Sequence, residues 1–200
     1  MSAVFDFAAL PLWAVLVSLG ASVLIFVLGE DRQRARTVVN LLAALVKLGV
    51  IWVMLDAIRA GHDFEFRMPL LPGLDLVLRA DALSVLFMTL SAVLWLLTTV
   101  YAIAYLERSP DRARFFGFFS LCVASTMGIA TAGNLFTFFI FYELLTLATW
   151  PLVAHRGNAA SLAGARTYLV YTLSGSSLFL VGLVWLYGLA GSQDFMLGGS

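Results

Sequence analysis

The sequence predicts an all-α polytopic membrane protein with six transmembrane helices and a short β-hairpin on its outer side. Hydrophobic residues make up 62% of the 200 residues and charged residues only 12%, whereas a soluble domain has roughly 25% charged residues. The mean hydropathy is +0.96. Six apolar segments are long enough to cross a hydrocarbon core, which takes about 20 helical residues. We treat residues 1–200 as a single transmembrane domain.

The six predicted helices differ in how clearly their ends are marked. Their predicted bounds are 8–28, 38–58, 82–106, 115–132, 135–154 and 168–190. The fourth segment is the shortest, and it carries small residues at a spacing of four, namely Ser120, Ala124, Gly128 and Ala132. Small residues let helix backbones approach closely in lipid. We therefore expect this face to pack against another helix.

Arginines are concentrated in alternate connections between the helices. The connections after the first, third and fifth helices contain Arg32, Arg34, Arg36, Arg108, Arg112, Arg114, Arg156 and Arg166. The opposite side has only Arg59, Arg67 and Arg79, together with several acidic residues. By the positive-inside rule the arginine-rich connections are predicted to be cytoplasmic, with both termini outside. Residues 1–7 contain no Lys or Arg, so no cleaved signal peptide is predicted.

Residues 64–79, between the second and third helices, alternate apolar and polar side chains on both sides of Pro72 and Gly73. Such alternation around a Pro-Gly turn predicts a β-hairpin. Its charged face would meet water and its apolar face would lie on the membrane domain, so we interpret the hairpin as a structural lid. Asp81 follows at the position expected for an N-cap of the third helix.

Glu143 lies near the middle of the fifth apolar segment. A charged side chain at the bilayer centre costs roughly 2.5–3.5 kcal/mol even on the most lenient scale, so intramembrane acids usually face a protein interior or a wet cavity and have a function there. Mostly apolar side chains lie one turn away, which disfavours the charged carboxylate and favours proton exchange when the surroundings change. Glu143 is therefore the candidate proton carrier. The alternative is a structural hydrogen bond to a neighbouring helix.

Two other titratable side chains are candidates for the same site. Lys47 stands mid-way along the second helix, and a contact of about 4 Å with Glu143 would be worth on the order of 4 kcal/mol at an effective dielectric of 20. Lys47 would then modulate Glu143, whereas the alternative is an unrelated partner or snorkelling. His155, at the cytoplasmic end of the fifth helix, is either a gate for protons or only a polar anchor.

The composition also excludes several classes of function. The formal net charge is zero, so no basic face is available for nucleic acid. Cys122 is the only cysteine, which excludes an internal disulfide and a cysteine-rich metal site. The sequence has no P-loop, G-x-G-x-x-G or H-E-x-x-H motif. No cofactor and no metal are predicted.

Residues 134–153 resemble the fifth helix of the antiporter-like subunits shared by respiratory complex I, membrane-bound hydrogenases and Mrp-type cation/proton antiporters. Residues 81–87, and the small-residue fourth helix with the Ala132-Gly-Asn134 that follows it, are also similar to this family. The similarity is greatest to the D-type subunit of Mrp antiporters and to its bacterial relatives called proton-conducting membrane transporters. It extends over nearly the whole chain.

The resemblance implies a function. The family's fifth-helix glutamate, matched here by Glu143, is central to proton translocation and pairs with a lysine in the seventh helix. The chain would then translocate protons in a cation/proton antiporter complex of the bacterial inner membrane, with other membrane subunits as partners and Na⁺ or K⁺ as candidate cations. One alternative is a proton-pumping subunit of an NADH:quinone oxidoreductase or membrane-bound hydrogenase. A second is a non-transporting membrane scaffold.

The sequence departs from the family pattern in its length. It ends at Ser200, after six predicted helices, whereas members of the family have about fourteen in two inverted repeats. Lys47 does not match the family's lysine in position, so that lysine's role is not assigned to it. We expect either the amino-terminal portion of a longer subunit or a truncated or split form completed by another chain.

Overall fold

The computed structural model describes residues 7–71, 73–106, 111–191 and 194–195. Some residues used in the sequence predictions lie outside these ranges: Pro72 of the predicted turn, Arg108 of the arginine-rich connections, and residues 1–6, which bear on the signal peptide. Within them the chain forms six α-helices, a short 3₁₀ helix and one two-stranded antiparallel sheet. All six α-helices are long and apolar enough to cross a membrane. The predicted fold class is confirmed.

The elements follow one another along the chain as a bundle with a hairpin inserted after the second helix. The helices are α1 (Leu10–Leu28), α2 (Gln33–Arg59), α3 (Ala82–Tyr105), α4 (Arg112–Ala130), α5 (Leu135–Val153) and α6 (Ala159–Ala190), with the 3₁₀ helix Phe7–Ala9 before α1. The strands are β1 (Phe64–Leu71) and β2 (Leu74–Ala80). We name the two ends of the bundle the hairpin side and the arginine-rich side, the latter carrying Arg32, Arg34, Arg36, Arg112 and Arg114.

Three helices begin earlier than their hydropathy indicates, α4 by three residues and the other two by more. Helix α6 begins at Ala159 and not at Tyr168, and α2 begins at Gln33 and not at Val38. The side chain of Asn158 accepts a hydrogen bond of 2.8 Å from the amide of the third residue of α6, which sets the start of that helix. Hydropathy marks only the apolar length of a helix, whereas caps decide where the backbone becomes helical.

Helix α4 lies at the centre of the bundle. It packs mainly against α1 and α5, while α2 packs on α1 and α3, and α6 packs on α5. Gly117 of α4 lies directly against the ring of Phe26 in α1, and Gly128 lies against the ring of Phe141 in α5. The prediction that the small-residue face of this helix packs against another helix is confirmed, because a side chain at Gly128 would separate α4 from α5.

The hairpin fixes the connection between α4 and α5. The amide of Gly133 donates to the carbonyl of Val77 at 2.8 Å, and the amide of Arg79 donates to the carbonyl of Thr131 at 2.6 Å. The amide of Val77 in turn donates to Oγ1 of Thr137, in the first turn of α5. Strand β2 therefore holds the start of the helix that carries Glu143.

Charged side chains on the hairpin also reach the residues after α6. Arg67 bonds Asp194 at 2.7 Å, and Arg79 donates to the carbonyl of Phe195 at 2.6 Å. Arg79 also bonds Glu65 at 2.7 Å. These hydrogen bonds from Arg79, with a smaller contribution from Arg67, lower the pKa of Glu65. The charged face thus joins the hairpin to the residues that follow the last helix.

Asp81 is the N-cap of α3, as the sequence predicts. Its Oδ1 accepts a hydrogen bond of 2.7 Å from the amide of Ser84. Burial by itself would raise the pKa of Asp81, but the hydrogen bonds that it accepts, chiefly from Ser84 and also from the amides of Asp81 and Leu83, together outweigh burial, and the pKa lies below its ordinary value of 3.8. Because the folded-state pKa is lowered, the charged cap stabilises the fold fully above the ordinary value and loses its effect as the pH falls through the folded-state pKa.

We therefore predict that Asp81→Ala lowers the free energy of unfolding by about 1 kcal/mol at neutral pH, the usual cost of a lost cap. The difference should shrink as the pH is lowered below 3.8. Denaturant unfolding in detergent at several pH values measures it. Asp81→Asn, which keeps a capping oxygen, serves as the control and should cost much less at neutral pH. A loss from Asp81→Ala that does not depend on pH would contradict the role of the charged cap.

Candidate functional site

Helix α5 places Glu143 in the middle of the membrane-spanning region. Asn134 caps the start of the helix by accepting a bond of 2.8 Å from the amide of Thr137. Pro151 lies inside the last turn, and the helix ends soon after it, at Val153. At 1.5 Å per residue, Glu143 is about 12 Å from one end of α5 and about 15 Å from the other.

The carboxylate of Glu143 has an apolar setting. The residue is half-buried, and its Oε1 is buried without a hydrogen-bond partner in the described part of the chain. One turn before it, Phe139 stacks on Phe179 of α6 with ring centroids 5.9 Å apart. One turn after it, Leu147 is 55% exposed. Glu143 therefore lies on a flank of α5 that α6 covers only in part.

Lys47 does not pair with Glu143. Its side chain is 0% exposed, and its Nζ lies 4.2 Å from the centroid of the Trp95 ring in α3. Neither Lys47 Nζ nor Glu143 Oε1 has a hydrogen-bond partner among the described residues. The predicted contact is wrong because α2 packs on α1 and α3, whereas α5 packs on α4, α6 and the hairpin. Snorkelling is also excluded, because the side chain is fully buried.

His155 lies just beyond α5 on the arginine-rich side. Its ring contacts the ring of Phe115 in α4 edge-on, with centroids 5.5 Å apart. It lines a cavity of about 540 Å³ together with Tyr105 and Arg156. Because about 15 Å of helix separates Glu143 from the end of α5, His155 cannot exchange a proton with it directly. Its role as a gate remains a prediction.

The sequence analysis missed a set of buried polar side chains in α1 to α4. Several of their polar atoms have no hydrogen-bond partner among the described residues: Ser18 Oγ, Asn40 Nδ2, Trp95 Nε1 and Thr99 Oγ1. A signal was present in α2, where Arg36, Asn40 and Lys47 recur at helical spacing on the buried face. The buried hydroxyl side chains of α1, α3 and α4 carried no such signal, because single hydroxyls are common in membrane helices.

Six helices among the described residues are able to cross a membrane and define a multi-pass membrane protein, and one of them carries an intramembrane carboxylate oxygen that no described group binds. The family model described as NADH:quinone oxidoreductase/Mrp antiporter, TM, matches residues 132–197. The model described as NADH-ubiquinone oxidoreductase (complex I), chain 5 N-terminus, matches residues 73–116. The chain belongs to this family of antiporter-like membrane subunits, found in Mrp antiporters, hydrogenases and complex I.

Curated relatives come from more than one kind of complex. The chain is 27% identical over 82% of its length to "Putative antiporter subunit mnhA2" of Staphylococcus haemolyticus and covers 21% of that protein. It is 27% identical over 60% of its length to the D-type subunit of a Na(+)/H(+) antiporter of Bacillus subtilis and covers 24% of it. It is 32% identical over 61% of its length to the N-type subunit of the NADH-quinone oxidoreductase of Desulforudis audaxviator and again covers 24%. The chain thus spans less than a quarter of each of these relatives.

Solved structures share the fold. A chain of the Mrp complex from Dietzia superposes with a TM-score of 0.79 at 24% identity, covering 95% of this chain and 36% of the other. A chain of an archaeal membrane-bound sulfane sulfur reductase superposes with a TM-score of 0.80 at 21% identity, covering 95% of this chain and 39% of the other. The arrangement of six helices and hairpin is therefore that of the corresponding part of longer chains.

Proposed function

We propose that this chain translocates protons across the membrane as part of a cation/proton antiporter complex, with Glu143 as the proton carrier. The observation that carries the proposal is the Glu143 carboxylate, at mid-depth in α5 with a buried oxygen that no described protein group binds. An acid held in this way can take up and release a proton without first breaking an ion pair. Of the two family models, the one that matches the longer stretch of this chain, residues 132–197, covers the whole of α5.

The assembly would include other membrane subunits. Large apolar side chains of α6 are widely exposed, among them Tyr171, Leu178 and Leu189, each at least 75%. Together with the partly open flank of α5 beside Glu143, they support a surface that further helices or lipid cover. We place the complex in the bacterial inner membrane with the arginine-rich side in the cytoplasm. Na⁺ or K⁺ is the cation proposed for exchange, and the D-type subunit of Mrp antiporters is the proposed counterpart.

A second candidate is a proton pump powered by redox chemistry. The relative named as the N-type subunit of an NADH-quinone oxidoreductase favours it, as does the complex I model matched by residues 73–116. The scaffold alternative requires a structural hydrogen bond from Glu143 to a neighbouring helix. No such bond to its buried oxygen is found among the described residues, so the scaffold has no observation in its favour.

The driving force distinguishes these functions. The complex that contains this chain is purified and reconstituted into liposomes that enclose a pH-sensitive dye. Under the proposed function, an inward gradient of Na⁺ or K⁺ moves protons out, whereas an equal gradient of choline does not. Proton movement that responds only to NADH with quinone, or to a hydrogenase substrate, would establish the second candidate. Response to neither kind of driving force would leave the scaffold.

A further inference from the structure

Within the described residues, the helices packed around Lys47 place no acidic side chain beside it to balance an ammonium charge. The helices packed on α2 are α1, α3 and, over a smaller area, α4. Helices α1 and α3 contain no Asp, Glu, Lys, Arg or His. The titratable side chains of these neighbours and of α2 itself are Tyr101, Tyr105, Arg112, Arg114, Cys122, Arg34, Arg36, Asp56 and Arg59. The acids nearest in the sequence lie towards the two ends of α2: Asp56 is in its last turn, and Asp31 and Glu30 precede its first residue, where Glu30 pairs with Arg36.

Two opposing effects act on the amine of Lys47. Removing an ammonium from water without a counter-ion costs several kcal/mol. The face of the Trp95 ring, 4.2 Å from Nζ, attracts the ammonium but not the neutral amine, and at a desolvated site this contact is a strong one. The charged and neutral forms are thereby brought closer in free energy than burial alone would allow. Such a group can change its protonation state.

A layer of polar side chains lies between Lys47 and the arginine-rich side. Asn40 is two turns before Lys47 on the same face of α2, about 10 Å along the helix. Ser120 of α4 donates a hydrogen bond of 3.4 Å to Oδ1 of Asn40. In α3, Thr99 is one turn after Trp95 and therefore nearer than Trp95 to the arginine-rich side. The Cα–Cβ bonds of a helix tilt towards its amino terminus, which for Lys47 is the direction of Asn40.

This layer can carry a proton path. The Nδ2 of Asn40, the Oγ1 of Thr99 and the Oγ of Ser18 are buried and have no hydrogen-bond partner in the described part of the chain. Buried polar groups of this kind are usually satisfied, and ordered water is the common partner where the protein offers none. Beyond Asn40, the next buried polar residue of α2 is Arg36, which ends the path at Glu30 on the arginine-rich side.

We propose that Lys47 is a second proton-binding site, separate from Glu143, which water reaches from the arginine-rich side past Asn40, Thr99 and Ser120. The lone pair of Nζ takes a proton from a hydronium ion, forming one N–H bond and leaving water, and the ammonium returns the same proton by the reverse step. No oxidant or reductant is needed. The site goes beyond the proposed function and does not rest on Glu143 carrying protons.

The protonation state of Lys47 can be measured directly. The protein is produced with lysine labelled at Nζ with ¹⁵N and is placed in lipid nanodiscs, where Lys47, the only lysine of residues 1–200, gives the labelled resonance and Lys47→Met removes it. We expect its chemical shift to move reversibly between the ammonium and amine positions between about pH 5 and pH 10. A resonance that stays at one position over this range would overturn the proposal.

Trp95→Leu tests the cause of the titration. Without the ring face the ammonium loses its favourable contact, so the midpoint should move to lower pH by about half a unit or more. An unchanged midpoint would overturn the role of the ring. Lys47→Met replaces an unpaired buried amine with an apolar side chain of similar size, so this variant should fold. If it does not, the assignment still stands, because Lys47 is the only lysine of residues 1–200.

Glu143→Gln separates this proposal from the proposed function. The Lys47 titration should be the same in this variant as in the unaltered protein, whatever happens to proton flux. A midpoint that moves in Glu143→Gln would show that the two sites are coupled and would overturn their separation. Failure of Glu143 as a proton carrier would leave the Lys47 result standing.

Discussion

Replacing Glu143 with glutamine is expected to lower cation-driven proton flux about tenfold or more, without loss of membrane insertion. Glutamine has nearly the same size and can form hydrogen bonds, but it cannot bind and release a proton at physiological pH. The loss of one proton-transfer group typically costs at least this much. Flux is measured with an internal pH dye in liposomes that contain the assembled complex, at matched amounts of inserted protein.

Two control variants define what the Glu143 result means. Glu143→Asp keeps a carboxylate on α5 and should retain part of the flux, because the proton-binding group remains but is displaced by one methylene. Glu65→Gln removes an acid from the hairpin, where it bonds Arg79 at 2.7 Å, and should leave flux largely unchanged. Full flux in Glu143→Gln would remove this residue from the mechanism. An equal loss in Glu65→Gln would indicate that assembly, and not proton binding, had failed.

The fold was largely predictable because each of its elements has a local signal. Membrane helices are long apolar segments, and the hairpin shows alternating apolar and polar residues on both sides of Gly73, which has a φ of 80°. The starts of α2 and α6 were not predicted, because their first turns are polar and lie outside the apolar stretch. Asn158 could have indicated the true start of α6, since Asn is among the preferred N-cap residues.

The site was predictable only for single residues. The depth of Glu143 follows from counting along one helix, so the sequence predicted it. The environment of Lys47 depends on which helices touch. Trp95 lies in a different helix, and the residues of the hairpin stand between the two in the sequence. Periodicity shows which face of a helix is buried but not which helix covers it. For the same reason the predicted Lys47–Glu143 contact could be stated only as one of two alternatives.

The position of Glu143 also depends on the close contact between α4 and α5. Gly128 lies against the ring of Phe141, and a Cβ added at Gly128 would overlap the Cγ and Cδ atoms of that ring. Phe141 is buried in the main hydrophobic core, so its ring cannot move away without disturbing its other neighbours. Adding even one methyl group should therefore force α5 away from α4.

We expect Gly128→Ala to lower the free energy of unfolding by about 1–3 kcal/mol, the usual cost of overpacking. This loss should exceed the gain of roughly 0.5–1 kcal/mol that alanine brings over glycine within a helix. Gly175→Ala in α6 is the matched control, because a Cβ there meets nothing within 4 Å; it should be neutral or stabilising. Thermal unfolding in detergent measures both, and equal midpoints for the two variants would contradict the close contact.

The double variant Gly128→Ala with Phe141→Leu connects this contact to function. Leucine leaves space for the added methyl group, so part of the lost stability should return. Phe141 is two residues before Glu143 on α5, and a displaced α5 moves the carboxylate with it. Proton flux should therefore fall in Gly128→Ala and recover in part in the double variant. If stability recovers but flux does not, then the Phe141 ring itself, and not the position of α5, is what Glu143 requires.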